Sequence, residues 1–274
     1  MKIAIAGKGG VGKTLIAGGI ALSLARAGYT TIAIDADPTP NLALSLGISL
    51  ADANAIQPVS ENAGLIRMKT GTGYPGVYAL NFSVTDIVAD YAVPTPSGVN
   101  LLVMGSVRSM DDGCSCAANS VVRALVRHLV VERDEAVVLD MEAGLEHIGR
   151  GTAAGVDCMA VVTDANVKSL DTAGKIARMA REFGISGIIM IANRIRTPAE
   201  ESIITAFAAG HDLPVAGFIP YDPMVVEAGI SGRPLTSLAG SPALKEIERI
   251  GQSIMAGRSA GKKDQGTRNR GTIP

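Results

Sequence analysis

The chain has 274 residues and a formal net charge of −1, with 25 Lys and Arg against 26 Asp and Glu. This balance offers no overall attraction to nucleic acid or to an anionic membrane, so we expect neither as a partner. Hydrophobic residues make up 47% and aromatic residues only 3% of the chain, which favours an aliphatic core such as a parallel sheet covered by helices on both faces. The three cysteines and the lack of a signal-peptide pattern at Met1 predict a cytoplasmic, reduced protein whose thiols are candidates for metal or redox chemistry.

The first motif joins an apolar strand to an Ala- and Leu-rich helix. Residues 2–26 read KIAIAGKGGVGKTLIAGGIALSLAR, which contains G-x-x-x-x-G-K-[ST] in the required strand-to-helix context. Backbone N–H groups of such a loop turn towards phosphates, and the helix N-terminus adds its positive end. We predict that Lys13 binds the phosphates and that Thr14 binds Mg²⁺. The predicted nucleotide-binding loop consists of Gly9, Gly10, Val11, Gly12, Lys13 and Thr14.

A second lysine, Lys8, lies inside the same loop. It cannot reach the same phosphates as Lys13 without crowding it, so we expect it to point towards the nucleotide of another subunit, or else only to steer ATP by its charge. The string KGGVGKT resembles the deviant Walker A motif of the Min/Par, nitrogenase iron protein and arsenite-pump ATPases. The resemblance implies a nucleotide-sandwich homodimer in which Lys8 crosses to the partner's ATP and, with Lys13, takes part in hydrolysis.

Two further predicted strands end in acidic residues, at Asp35 and Asp140. The carboxyl ends of parallel strands line the ligand crevice of an open α/β sheet. Within the resemblance, Asp37 matches the residue that orients or deprotonates the attacking water, and Asp140 with Gly144 has the D-x-x-x-G spacing of switch II, where Asp140 reaches Mg²⁺ through water. Asp35 is a predicted Mg²⁺ ligand or a loop-stabilising residue, and a helix cap ahead of Asn41 is the alternative.

Cys114 and Cys116 form a Cys-x-Cys pair ahead of a predicted helix. Two thiolates do not close a tetrahedral metal site, but two pairs related by a two-fold axis supply four, which suits Zn²⁺, Ni²⁺ or an iron–sulfur cluster. The alternative is two small buried residues at a turn. Cys158, on a later predicted strand, is expected to lie in the core.

Downstream of this pair, the string DMEAGLEHIGRGT at residues 140–152 resembles the carbon monoxide dehydrogenase maturation ATPases, the CooC-type nickel-insertion family. The resemblance extends from residue 1 to about residue 257. It implies ATP-driven dimerisation, nickel bound by Cys114 and Cys116 of each subunit, and carbon monoxide dehydrogenase as client. Acetyl-CoA synthase is an equally possible client. Two alternatives remain: a Min/Par-type positioning ATPase without metal, and an iron-protein-like reductase with a bridged iron–sulfur cluster.

The remainder of the chain predicts the architecture. Regular alternation of strands and helices from residue 157 predicts βαβ units and a doubly wound, mainly parallel sheet in a single P-loop domain over residues 1–257. We expect residues 49–98 to form an irregular insertion, with strand-like pieces at Leu65–Lys69 and 77–80 and a helix at Val84–Tyr91, and residues 258–274 to form a disordered basic tail. From the resemblance, the adenine contacts are Asn193, Arg194, Pro220, Tyr221 and Asp222.

Overall fold

A computed structural model describes residues 1–37, 41–72, 85–105, 121, 124–125, 134–141 and 155–268. The strands of this part are β1 (Lys2–Gly7), β2 (Thr30–Ala36), β3 (Val93–Pro94), β4 (Asn100–Val103), β5 (Glu135–Met141), β6 (Cys158–Thr163), β7 (Ile188–Ile195) and β8 (Val215–Pro220). They form one sheet in the order β3-β4-β2-β5-β1-β6-β7-β8. Every pairing is parallel except that of β3 with β4 at one edge.

The helices lie on both faces of this sheet. They are α1 (Lys13–Arg26), α2 (Leu42–Ser45), α3 (Leu50–Ala55), α4 (Ala63–Thr70), α5 (Thr85–Tyr91), α6 (Val167–Glu182), α7 (Pro198–Gly210), α8 (Pro223–Ser231) and α9 (Pro242–Arg268). Short 3₁₀ turns occupy Val59–Glu61 and Leu235–Ser237. One core cluster joins the sheet to α6 and α7, and the other joins it to α1 and α9. The predicted doubly wound α/β fold is confirmed.

The central strands are apolar because both of their faces are covered. All residues of β1 and β6 are buried, as expected for parallel strands between two helical layers. On one face, α1 and α9 approach closely at Gly19, where an added Cβ atom would lie 2.7 Å from Cγ2 of Ile247. The Ser23 hydroxyl also donates to the backbone oxygen of Glu248 in α9, at 3.4 Å. The helix that follows the phosphate-binding motif is therefore held by the last helix of the fold.

Three expectations for the less regular segments have different outcomes. The helix expected at Val84–Tyr91 is present as α5. The strand-like reading of Leu65–Lys69 is wrong, because these residues lie within α4, whose first turn is capped by the Asn62 side chain accepting from the backbone N–H of Leu65 at 3.0 Å. Residues 77–80 lie outside the described residues. No helix of the described chain is both long enough and apolar enough to cross a bilayer.

Helix α9 begins at Pro242, and its backbone is helical as far as Arg268. The disordered basic tail expected over residues 258–274 remains a prediction.

Candidate nucleotide site

The phosphate-binding motif has the predicted strand-loop-helix geometry. β1 ends at Gly7 between β5 and β6, and α1 begins at Lys13. Gly12, the residue before the helix, has the left-handed φ of 96°, and an added Cβ atom would lie 2.3 Å from Nδ2 of Asn193. The first turn of α1 has no acidic residue, so the helix places no carboxylate of its own at the positive end of its dipole. The loop is suited to bind an anion.

The two lysines of the motif have different environments. Lys13 is buried, with 8% of its surface exposed, and its ammonium group is 3.5 Å from the backbone oxygen of Lys8. Lys8 itself is only half-buried. The ammonium group of Lys13 therefore lies against its own loop, whereas Lys8 has solvent access. Its predicted reach to a second subunit remains a prediction.

Asp35 and Asp140 are neighbours across the sheet, because β2 and β5 pair them in register. Both are buried, at 0% and 1% exposure. The carboxylate of Asp35 accepts hydrogen bonds from the backbone N–H of Asp37 at 3.2 Å and of Leu42 at 2.9 Å. Burial raises the pKa of Asp35 to about 6. Asp35 thus stabilises the segment that contains Asp37 and the start of α2, which matches the loop-stabilising and capping alternatives. Its role as a Mg²⁺ ligand remains a prediction.

Asp140 differs from Asp35, because its carboxylate has no hydrogen-bond partner among the described residues. Both carboxylate oxygens are buried and unpaired within the described part of the chain. Burial raises the pKa of Asp140 to about 7, and the neighbouring Asp35 adds to the shift. The Thr14 hydroxyl and the Lys13 ammonium oppose it, although Thr14 makes no hydrogen bond of normal geometry to the carboxylate. An unpaired carboxylate beside a hydroxyl is an oxygen-donor pair suited to Mg²⁺, so these residues fit the predicted magnesium site.

A cavity with a volume of about 290 Å³ lies beside the loop, between α1 and α8. Leu15, Val225 and Val226 give it an apolar wall, as expected for a pocket that holds a flat base. The structure brings to this cavity every residue for which we expected an adenine contact, together with Gly12 of the loop: Asn193, Arg194, Pro220, Tyr221 and Asp222. Their contact with adenine remains a prediction.

Asn193 also has a role that the sequence did not indicate. Its Nδ2 donates to the backbone oxygen of Val11 at 2.7 Å, and its Oδ1 accepts from the backbone N–H of Arg194 at 2.9 Å. Arg194 has a positive φ of 61°, and Asn193 is only 2% exposed. The side chain therefore links the end of β7 to the phosphate-binding loop.

The carboxylate of Asp222 accepts hydrogen bonds from the first turns of two helices, α8 and α9. Its carboxylate accepts from the backbone N–H of Met224 at 2.9 Å, from the Ser241 hydroxyl, and from the backbone N–H of Ala243 at 3.3 Å. Burial alone would raise the pKa of Asp222, but these hydrogen bonds outweigh it and hold the pKa below its ordinary value. Asp222 thus fixes the start of α8, which forms one side of the cavity, to the start of α9.

Arg196 and Tyr221 form a cation–π pair at the rim of the cavity, which the sequence did not indicate. The guanidinium carbon of Arg196 lies 4.2 Å from the ring centroid of Tyr221, a favourable distance for such a contact. The backbone N–H of Tyr221 donates to the oxygen of Ile195 at 2.8 Å. The only sequence signal was an arginine shortly after the Asn193-Arg194 pair.

Two of the three cysteines are the predicted metal ligands. Cys114, Cys116 and Gly144 lie outside the described residues. Among the residues that are described, no three His, Cys, Asp or Glu side chains cluster to hold a metal ion. Cys158 lies in the core, where burial raises the pKa of its thiol to about 12, in agreement with the expectation.

Comparison with known proteins identifies the family. The model of the CobQ/CobB/MinD/ParA nucleotide binding domain matches residues 2–235. The chain belongs to this family. It is 39% identical over 264 residues to the carbon monoxide dehydrogenase accessory protein CooC of Rhodospirillum rubrum, covering 92% of this chain and 98% of CooC. The resemblance inferred from the sequence is therefore confirmed.

Solved structures support the same fold. MinD of Aquifex aeolicus aligns with a TM-score of 0.66 at 20% identity, covering 100% of this chain and 98% of MinD. The Mg-ADP complex of MinD from Pyrococcus horikoshii aligns with a TM-score of 0.62 at 20% identity, covering 92% and 95%. At this identity, the likeness concerns the fold. The family match and the phosphate-binding loop identify a P-loop ATPase of the MinD/ParA type.

Proposed function

We propose that this ATPase is a maturation factor for a nickel enzyme. It dimerises with ATP, binds nickel through Cys114 and Cys116 of each subunit, and assists nickel insertion into carbon monoxide dehydrogenase or acetyl-CoA synthase. The observation that carries this proposal is the similarity to a carbon monoxide dehydrogenase accessory protein over nearly the whole of both chains. The Cys-x-Cys pair supports it, because thiolates can bind nickel as cargo and two pairs complete a four-thiolate set.

ATP binding would use the loop and its lysine. The backbone N–H groups of residues 9–14 and the positive end of α1 bind the phosphates, and Lys13 neutralises their charge. Magnesium would be held by the Thr14 hydroxyl and by Asp140, whose unpaired carboxylate is suited to it, with Asp35 as the further predicted ligand. The ion, when bound, supplies positive charge to the transferring phosphoryl group.

Hydrolysis would use groups at the same edge of the sheet. Asp37 orients the attacking water and accepts its proton, and its backbone is fixed by the hydrogen bond to Asp35. Lys8 of one subunit stabilises the charge on the nucleotide of the other, as the half-exposed position of this residue permits. In this scheme, Lys13 binds the nucleotide of its own subunit, and Lys8 assists hydrolysis of the nucleotide bound by the other subunit.

The coupling between hydrolysis and nickel transfer would pass through β5. This strand presents Asp140 at the nucleotide and leads directly into the D-x-x-x-G segment ending at Gly144. Loss of the γ-phosphate releases such a segment, and the dimer then opens. Because four thiolates require both subunits, opening the dimer would break the nickel site and free the metal for the client.

The proposal is tested by anaerobic size-exclusion chromatography with metal analysis of the same fractions, with and without ATP and added Ni²⁺. We expect a dimer with one nickel ion per two chains for the wild type, and no nickel for Cys114→Ser/Cys116→Ser. Cys158→Ala is the matched control, since it removes the buried third cysteine. Equal nickel binding by the double variant would refute the shared site.

The family match to MinD and ParA makes a metal-free positioning switch the second candidate. This candidate would be favoured if the wild type and Cys114→Ser/Cys116→Ser both formed an ATP-dependent dimer without metal. A brown anaerobic preparation containing iron and sulfide would instead indicate a bridged iron–sulfur cluster and an ATP-dependent reductase. Reconstitution of the client with Ni²⁺, ATP and the wild-type or Cys-free protein then measures insertion directly.

A further inference from the structure

The groove between α6 and α7 has the features of a small-molecule site separate from the nucleotide. Its volume is about 340 Å³, within the usual range for ligand pockets of roughly 300–1,000 Å³. None of its described lining residues lines the cavity beside the phosphate-binding loop. Leu170 and Phe207 form apolar walls, and the exposed side chains of Val167 and Ile203 extend them to the rim.

The imidazole of His211 has a fixed orientation in this groove. Its ring stacks on Phe207 with 3.9 Å between centroids, and its Nδ1 lies 2.8 Å from the backbone oxygen of Phe207. A carbonyl oxygen only accepts, so Nδ1 carries the proton. Arg181 donates to the backbone oxygens of His211 and Asp212, at 2.8 and 2.6 Å, and so holds the turn that carries the ring against α6.

Nε2 of His211 makes no hydrogen bond within the described part of the chain. Nε2 lies over Gly174 of α6, where an added Cβ atom would be only 3.2 Å away. The missing side chain of Gly174 therefore leaves room for the ring at the floor of the groove.

Cationic side chains complete the lining. The guanidinium group of Arg178 has no ion pair or hydrogen bond within the described chain, and Lys175 pairs with Asp171 at 2.7 Å. Asp171 is the one carboxylate among the described lining residues. Its charge is offset by Lys175, which leaves Arg178 uncompensated. An anionic group is therefore the complement of this end of the groove.

We propose that this groove binds a small organic anion with an apolar body. Its carboxylate or phosphate pairs with Arg178, and its apolar part lies between Leu170, Phe207 and Ile203, with the ring of His211 at the floor. Lys175 adds to the attraction and Asp171 opposes it.

The test uses NMR of the full chain, with Mg-ADP in excess so that the phosphate-binding loop is occupied. The His211 ring signal is assigned with His211→Gln. The probes are phenyl phosphate, benzoate, inorganic phosphate and acetate. We expect saturable shifts, with the aromatic anions binding more tightly than phosphate or acetate because of the apolar walls. Tighter binding of phenyl phosphate than of benzoate identifies a phosphate monoester as ligand, and the reverse identifies a carboxylate.

Two variants make the site falsifiable. Arg178→Gln is expected to weaken binding by about tenfold or more, because a charge-assisted hydrogen bond is lost, whereas Arg67→Gln, an exposed arginine on α4, leaves it unchanged. Gly174→Ala fills the floor and also weakens binding, while ATPase activity and Mg-ADP affinity stay at wild-type values. Shifts that do not saturate, or that are equal in wild type and Arg178→Gln, overturn the proposal.

Discussion

Nδ2 of Asn193 donates a 2.7 Å hydrogen bond to the backbone oxygen of Val11. The two residues are 182 positions apart in the sequence, yet the bond joins the end of β7 to the phosphate-binding loop. Because Asn193 also lines the cavity beside the loop, one amide connects the predicted base pocket to the loop that binds phosphate. The hydrogen bond therefore couples the predicted base pocket to the shape of the loop.

Replacing Asn193 tests this coupling. Asn193→Ala leaves the buried oxygen of Val11 unpaired, which is expected to weaken nucleotide binding by about tenfold, in line with a cost of roughly 1–3 kcal/mol for such a group. Isothermal titration with ADP and GDP measures the loss. A role through the loop weakens both nucleotides equally, whereas a role in base contact alone weakens ADP only. Asn193→Asp, which keeps the size but removes the Nδ2 donor, should behave like Asn193→Ala.

Two glycines of the loop form a matched pair. Gly12→Ala is expected to lower the melting temperature of the nucleotide-free protein and to abolish ATP binding. Gly12 has φ near 96°, and the new Cβ atom would meet Nδ2 of Asn193. A Cβ atom on Gly9 meets nothing within 4 Å, so Gly9→Ala should melt at the wild-type temperature. Equal melting temperatures for the two variants in differential scanning calorimetry would contradict this account.

The buried carboxylate of Asp140 makes stability depend on pH. Its pKa rises from 3.8 to about 7 on folding, so the folded state binds more protons than the unfolded state between these values. The free energy of unfolding therefore falls as the pH rises through this window. Asp35, with a pKa of about 6, acts in the same direction. This contribution concerns the protein without magnesium, since a bound cation would compensate the charge.

Asp140→Asn removes the larger of these two effects. We expect it to stabilise the magnesium-free protein at pH 8 by roughly 1–3 kcal/mol, the order of cost for an unpaired buried group, and to flatten the pH dependence between about 4 and 7. Urea unfolding in EDTA measures both, and ATPase activity should be lost. Asp171→Asn, at an exposed position, is the control. An unchanged slope in Asp140→Asn would show that Asp140 does not titrate in this range.

The proposed exchange of Lys8 between subunits predicts complementation. Lys8→Ala and Asp37→Ala alone are each expected to lose ATPase activity by about 100-fold or more while still binding ATP, as is usual when a catalytic group is removed. In a mixed dimer, the Lys8→Ala subunit keeps its own Asp37 and receives Lys8 from its partner. Mixing the two variants should therefore restore part of the activity. Additive residual rates in the mixture would argue that Lys8 acts within its own subunit.

The phosphate-binding loop and the acidic strand ends could be predicted from short motifs in the sequence. The loop, Lys13 and the acidic strand ends at Asp35 and Asp140 follow from residues adjacent in the chain, and strand order then brings them to one edge of the sheet. The cavity beside the loop was also predicted, but only through resemblance, because polar residues after a strand do not by themselves indicate a base.

The rest required tertiary structure. The hydrogen bond from Asn193 to Val11 and the capping of α8 and α9 by Asp222 join residues that are far apart or that have several equivalent partners. The incorrect strand at Leu65–Lys69 has a similar cause. Alternation over five residues fits both a strand and a short helix, and the Asn62 cap decides between them.

The packing of α1 on α9 bears on how the protein is made. During synthesis, the phosphate-binding loop and its helix leave the ribosome well before α9, so Gly19 meets its neighbour Ile247 only after the intervening chain has followed. Until then, the apolar side of α1 that the last helix covers is exposed in the nascent chain. A chain truncated before residue 242 would expose this surface and be a target for chaperones or proteases.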